Sequence, residues 1–184
     1  MKNTWAIFLL ASSAAAADLT VFTSGDEAFP PAVTSVAKDE ASRMFGAIGV
    51  HVSWRTGDKP ARDATAVQVR FAAARGVHPG AMAFAQPFDP ESAIVVFYDR
   101  IAAITVLRPD LRGPVLSHVL VHEIGHVLMR TNAHAPEGVM KAHWIAADYS
   151  EMVRRPLRFL KADAELIQSN LRGRGDSVLD GDSK

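Results

Sequence analysis

The chain has 184 residues, of which 48% are hydrophobic and 22% charged, the composition of an ordinary globular protein large enough to bury a core. Twenty basic and twenty acidic residues cancel, so the charge balance argues against partners such as nucleic acid or an anionic membrane surface. The absence of cysteine excludes disulfides and a lipoprotein anchor.

The first residues have the pattern of an export signal. Lys2 supplies a positive start, residues 5–10 form a short apolar segment, and residues 15–17 form a small-residue cleavage site. The apolar segment is too short to span a bilayer, and the alternative is a buried N-terminal strand or helix. A chain without cysteine is typical of the cytosol, but the signal is the more direct indication. We therefore expect a signal peptide over residues 1–17 and a mature protein that is secreted or periplasmic, monomeric and free of the membrane.

From residue 18 to residue 172, short strands and helices follow one another in a pattern that predicts one α+β domain. Runs of β-branched and apolar residues predict five strands, over 19–23, 50–55, 66–72, 81–85 and 94–98. Apolar residues at helical spacing predict helices over 31–48, 113–129, 142–154 and 162–171, with a helical turn or loop over 99–107. We expect Gly49 to stop the first helix and Asn132 to take a left-handed cap after residue 129. Residues 173–184 are polar and glycine-rich, and they are predicted to form a disordered tail.

The helix predicted over 113–129 carries the sequence His122-Glu123-Ile124-Gly125-His126. Two histidines four positions apart lie on the same helix face, with Cβ atoms about 5–6 Å apart. Both imidazoles can therefore reach one zinc ion, and Glu123 can act as general base towards a water molecule that the zinc polarises. The alternative is a pair of buried core histidines, but Glu123 would then be a buried carboxylate without a partner, which is costly. Gly125 inside this helix indicates the close approach of another backbone.

A catalytic zinc site needs a third protein ligand and one open position for water. The downstream candidates are His134, Asn132, His143, Asp148 and Glu165. His134 is preferred because it lies just past the helix end, where a short turn can bring it to the metal, and because imidazole suits zinc better than an amide. His118 lies one turn before His122, but three ligands in a row suit a tetrahedral ion badly, so we interpret His118 as a packing or supporting residue. His51, His78 and His143 are interpreted as ordinary surface or loop histidines.

These residues resemble the metzincin clan of zinc metallopeptidases. The resemblance starts with the two helix histidines and a third histidine, and continues with residues 138–140, Gly-Val-Met, which look like the clan's Met-turn. Residues 80–87 and 94–97 look like its antiparallel edge strand and the neighbouring strand. The resemblance implies a mixed five-stranded sheet with an N-terminal helix, a buried active-site helix and C-terminal helices. The chain departs from the clan's usual spacing, because Met129 and Asn132 stand where a glycine and the third histidine are usual and His134 follows two residues later.

The resemblance implies a zinc endopeptidase that acts on a peptide or protein substrate, with Glu123 as general base. Met140 would support the metal site by packing, and a core methionine is its other interpretation. Tyr149 would donate to the oxyanion, and the pocket for a substrate side chain is expected around residues 141–149. The substrate is expected to lie along four residues of the fourth strand: Ala81, Met82, Ala83 and Phe84. Two other functions stay open, a non-catalytic metal-binding or protein-binding module on the same fold and a metal-dependent hydrolase of another bond.

Overall fold

The computed structural model describes residues 17–60, 63, 66–76, 78–89 and 93–179, with side chains described up to residue 173. Over these residues the chain forms five strands and five α-helices. The strands are β1 (Ala17–Ser24), β2 (Val50–Thr56), β3 (Val67–Ala72), β4 (Ala83–Ala85) and β5 (Ala93–Phe97). The helices are α1 (Pro31–Gly46), α2 (Tyr98–Ile104), α3 (Arg112–Met129), α4 (Ala146–Arg154) and α5 (Lys161–Leu179).

The five strands form one sheet with the order β2-β1-β3-β5-β4. β1 pairs in parallel with β2 and β3, β3 pairs in parallel with β5, and β4 runs antiparallel to β5 at the edge. The inner strands carry buried β-branched side chains, such as Val67, Val69 and Val96, which suit a sheet that is covered by helices. The predicted mixed five-stranded sheet is confirmed, as are the N-terminal helix, the buried central helix and the C-terminal helices.

The buried centre of the protein is α3. Every residue from Val115 to Met129 is buried, because α1, α5 and the strands β4 and β5 all contact this helix. A helix that is apolar on all sides is stable only when it is covered on all sides. Gly113 allows α1 to approach closely, because a Cβ at this position would lie 2.9 Å from Cγ1 of Val36. Side chains on α3 are therefore held on a rigid element at the core.

Two element ends near the centre differ from the sequence prediction. The left-handed residue after α3 is Arg130 and not Asn132, because the Arg130 N–H already donates to the carbonyl of His126 and closes the helix there. The fourth strand begins at Ala83 and not at residue 81, because residues 78–81 form a hydrogen-bonded turn. Gly49 is left-handed, but it does not stop the helix directly as predicted, because α1 already ends at Gly46 and residues 47–49 form a turn.

Two further ends differ in the C-terminal part. α4 begins at Ala146 and not at residue 142, because the carboxylate of Asp148 accepts the N–H of Ile145 and caps the helix at this point. α5 continues to Leu179, beyond the predicted end, so residues 173–179 of the predicted disordered tail are helical. A glycine inside a helix costs only about 1 kcal/mol, and Gly173 therefore does not end a helix that is docked on the core.

The predicted signal peptide lies outside the described residues, apart from its last residue, Ala17. Ala17 is the first residue of β1 and pairs with Val50 of β2. Residues 180–184 of the predicted tail also lie outside the described residues. In the part of the chain that is described, no helix combines the length and the apolar character needed to cross a membrane.

Candidate metal centre

His122 and His126 lie one turn apart on α3 with their Nε2 atoms 3.0 Å from each other. The Nδ1 atom of His122 lies 2.8 Å from the Val139 carbonyl, and that of His126 lies 2.8 Å from the Thr131 carbonyl. A carbonyl oxygen only accepts, so both Nδ1 atoms carry the proton, and each neutral ring presents its lone pair on Nε2. Burial lowers the pKa of His122 to about 4 and also lowers the pKa of His126, which favours the neutral rings.

Two lone pairs that face each other at this distance repel, unless a cation lies between them. Two nitrogens bound to one tetrahedral zinc ion at about 2.0–2.1 Å would be about 3.3 Å apart. The spacing of the two Nε2 atoms is close to that value. The second ring nitrogen of each histidine is fixed by a backbone carbonyl, which is the usual support of a metal-ligating imidazole. The pair therefore fits a shared metal ion.

His134 completes the cluster from the turn after α3. Its ring centroid lies 5.3 Å from that of His122 and 4.8 Å from that of His126. One nitrogen from each of the three rings lies within 4.8 Å of the other two, so the three histidines could hold a metal ion. The turn is closed by hydrogen bonds from the Ala133 N–H to Thr131 Oγ1 and from the Ala135 N–H to the Met140 carbonyl. His134 is the exposed member of the cluster, so rotation of its side chain can adjust the remaining spacing.

The other candidates for the third ligand are not part of the three-histidine cluster. Asp148 accepts hydrogen bonds from Lys141 and from the Ile145 N–H, and Glu165 lies 3.7 Å from Lys161 on the surface of α5. His143 lines the cleft above the cluster. Asn132 is exposed in the turn between α3 and His134.

His118 has both ring nitrogens occupied by the protein. Its Nδ1 lies 2.6 Å from the Pro114 carbonyl, and its Nε2 accepts the N–H of Leu157 at 2.9 Å. The residue is fully buried, and burial lowers the pKa of His118 to about 4. His118 therefore connects α3 to the segment after α4, in agreement with its interpretation as a packing residue.

The turn at residues 138–140 packs against α3 and supports His122. Gly138 is left-handed, with φ 77°, and a Cβ there would lie 2.3 Å from the Arg158 carbonyl. The carbonyl of Val139 accepts the hydrogen bond from His122, and the side chain of Met140 is buried beneath α3. A Cβ on Gly125 would lie 2.8 Å from Sδ of Met140. The sequence predicted the close approach of another backbone at Gly125, but the neighbours are side chains, those of Met140 and Phe159.

Glu123 is buried beside the cluster, with 9% of its surface exposed. Burial raises the pKa of Glu123 to about 7, against the opposing effect of a hydrogen bond from the backbone of Ala85. On either side of β4, the Gln86 N–H donates to the Ala93 carbonyl and the Met82 carbonyl accepts from the Phe97 N–H. The backbone N–H and carbonyl groups of Ala83 and Ala85 therefore face away from β5. This direction explains why the N–H of Ala85 can donate to Glu123. The carboxyl group lies under the sheet edge.

A cleft of about 510 Å³ opens above His122, Glu123 and His134. One wall is formed by residues 79–83 and the other by residues 141–144 and Tyr149, so the predicted substrate residues Ala81, Met82, Ala83 and Tyr149 do line it. Phe84 does not, because its ring stacks on His78 instead, with centroids 4.2 Å apart.

Trp144 lies in the second wall, within the region predicted as a substrate pocket, but it was not predicted as a site residue. The indole packs edge-on against His122, with ring centroids 5.6 Å apart, and also contacts His118 and Tyr149. Its Nε1 is buried without a hydrogen-bond partner among the residues that the structure describes. A tryptophan in a polar segment shortly after the Met-turn pattern was the signal that could have found it.

No protein-family model matches this chain, and no curated protein is significantly similar to it. Function must therefore be inferred from the geometry and chemistry of the site. A fold by itself does not fix an activity, because one fold carries many unrelated functions.

Proposed function

We propose that this protein is an exported, zinc-dependent endopeptidase of the metzincin type. The observation that carries the proposal is the convergence of His122, His126 and His134 on one point at the floor of a cleft, beside a buried carboxyl group. Three neutral imidazoles with an open side are the ligand set of a catalytic zinc site, whereas structural zinc sites use four protein ligands. Zinc is preferred over harder cations because magnesium and calcium favour oxygen ligands.

Zinc bound by these residues would supply a polarised water molecule, with a pKa near 7, and a Lewis acid for the substrate carbonyl. Glu123 is the one carboxylate among the described residues that line the cleft. Its place next to His122 suits it to take the proton of the attacking water and to pass that proton to the leaving amine. The hydrogen bond from Ala85 orients the carboxyl group towards the cleft floor.

The edge strand supports a peptide as the substrate. An extended chain can add to a sheet edge through main-chain hydrogen bonds, while pockets on either side take alternate side chains. β4 is such an edge, and the small side chains of Ala81 and Ala83 leave the cleft open along it. Across the cleft, the hydroxyl of Tyr149 is the candidate donor to the oxyanion, and Met140 supports the histidines from below.

The test is zinc content together with cleavage of a mixed peptide library by the purified mature protein. We expect one zinc ion per chain, cleavage that a chelator abolishes, and a Glu123→Gln variant that keeps its zinc. Loss of the general base should lower the rate by about 10²–10⁴-fold. Glu137 is an exposed carboxylate in the segment that follows α3. The matched control is therefore Glu137→Gln, which should cleave at the parental rate.

Two outcomes would contradict the proposal. A Glu123→Gln variant that cleaves peptides at the parental rate would remove the general base from the mechanism. A zinc-loaded parental protein that binds peptides without cleaving them would instead favour the non-catalytic binding module.

A further inference from the structure

We propose that Arg100 is a positioning residue that fixes one wall of the cleft in the shape that receives an extended substrate. Arg100 lies on α2, and its guanidinium donates to the backbone carbonyls of both His78 and Ala81. The same two residues close a turn, because the Ala81 N–H donates to the His78 carbonyl at 3.1 Å. One cation thus holds both ends of a single turn. The inference rests on the proposed peptidase function.

The turn needs this support because its backbone is strained. His78 adopts a left-handed conformation, with φ 46°, and Gly80 is also left-handed, with φ 81°. For a residue with a side chain, the left-handed conformation costs about 1–2 kcal/mol. Hydrogen bonds from a charged donor are stronger than those between neutral groups, and the two N–H groups of a single Arg100 nitrogen, Nη1, serve the two carbonyls.

Aromatic packing holds the arginine itself in place. The guanidinium carbon of Arg100 lies 4.7 Å from the centroid of the buried Phe97 ring. The ring of His78 stacks on Phe84 with 28° between the planes. Phe97 and Phe84 lie on the paired strands β5 and β4, with ring centroids 5.9 Å apart. Arg100 therefore ties the turn to the sheet at the place where the edge strand begins.

The turn leads directly into the wall of the cleft. Residues 79–83 form the side that faces Trp144 and Tyr149, and Ala85, two residues further on, donates to Glu123. Arg100 itself is not among the residues that line the cleft, so it acts through the wall and not on the reacting atoms. A wall that is already ordered lowers the entropy cost of binding an extended peptide.

The test compares Arg100→Ala and Arg100→Lys with Arg108→Ala in the zinc-loaded full chain. Arg108 pairs with Asp110 on the surface and serves as the matched control. In Arg100→Ala we expect KM to rise about tenfold while kcat stays within about twofold, because ground-state and transition-state binding are lost together. The KM of Arg100→Lys should lie between those of Arg108→Ala and Arg100→Ala, since an ammonium keeps the charge but cannot pack as a planar group against the Phe97 ring. Guanidinium ion added to the buffer should lower the KM of Arg100→Ala and leave that of Arg108→Ala unchanged.

Hydrogen exchange on the same proteins provides a readout that needs no turnover. We expect the amides of residues 80–85 to exchange about tenfold faster in Arg100→Ala, with α3 unchanged, as for a local opening. Unchanged exchange at 80–85, an equal rise across α3, or a lower kcat at unchanged KM would each overturn the inference. A parental protein that cleaves no peptide would contradict the proposed function and the substrate role of Arg100 with it. The exchange result would still show whether the arginine holds the turn.

Discussion

Gly125→Ala tests whether Met140 packs tightly beneath the turn of α3 that carries His122 and His126. The added Cβ would lie 2.8 Å from Sδ and 3.4 Å from Cε of Met140, and 3.2 Å from Cε1 of Phe159. Adding a methyl group to a well-packed core costs about 1–3 kcal/mol, while alanine gains about 1 kcal/mol over glycine in a helix. We therefore expect a net loss of about 1 kcal/mol, measured by urea unfolding of the zinc-free protein.

Gly173→Ala is the matched control for this experiment. Gly173 lies within α5, and a Cβ there would meet no atom within 4 Å, so the same substitution should stabilise the protein by up to about 1 kcal/mol. The double variant Gly125→Ala with Met140→Ala should lose less stability than the sum of the two single variants, because removing the sulfur of Met140 removes its overlap with the added Cβ. If Gly125→Ala stabilised the protein as much as Gly173→Ala does, the account of Met140 packing beneath α3 would be refuted.

Three other predictions concern the site and its support. Gly138→Ala should destabilise the protein by about 2 kcal/mol or more, because its Cβ would collide with the Arg158 carbonyl in a left-handed conformation; thermal unfolding measures this, and an unchanged melting temperature would contradict it. Burial raises the pKa of Glu40, against the hydrogen bond from Ser117, so the folded chain keeps a proton that the unfolded chain has lost, and the contribution of Glu40 to stability falls as pH rises from about 4.5 through the folded pKa. Glu40→Gln should remove that effect, so the free energy of unfolding of the variant relative to that of the parent should be higher at pH 8 than at pH 4. Urea unfolding measures these free energies, and a difference between variant and parent that is the same at both pH values would refute the reasoning. His134→Ala should lose zinc on dialysis while His143→Ala keeps it, as measured by elemental analysis, and full zinc content in the first variant would exclude His134 as a ligand.

The order of strands and helices could be predicted because its causes are local. The apolar residues of α3 continue without interruption around its histidines, and Pro114 suits a first helical turn, so both the helix and its burial follow from neighbouring residues. The spacing of His122 and His126 places them on one face for the same reason. Local patterns of this kind predicted all five strands to within a few residues.

What could not be predicted depends on contacts between distant parts of the chain. Arg100 and the turn at residues 78–81 are separated by β4 and β5, and nothing in the spacing of these residues indicates that they meet. The neighbour of Gly125 was wrongly predicted to be a backbone. A glycine inside a helix indicates that a neighbour lies close, but it does not indicate whether that neighbour is a backbone or a side chain. Trp144 was missed because its position against His122 depends on how the segment after Met140 folds back over α3.

X-ray absorption at the zinc edge tests the central claim most directly, because it counts the ligands of the bound ion. For the zinc-loaded parental protein we predict three imidazole nitrogens and one oxygen at about 2.0–2.1 Å, with one imidazole fewer in undialysed His134→Ala that has been given less than one equivalent of zinc. A parental spectrum with only two imidazoles, or one that His134→Ala leaves unchanged, would contradict the three-histidine centre.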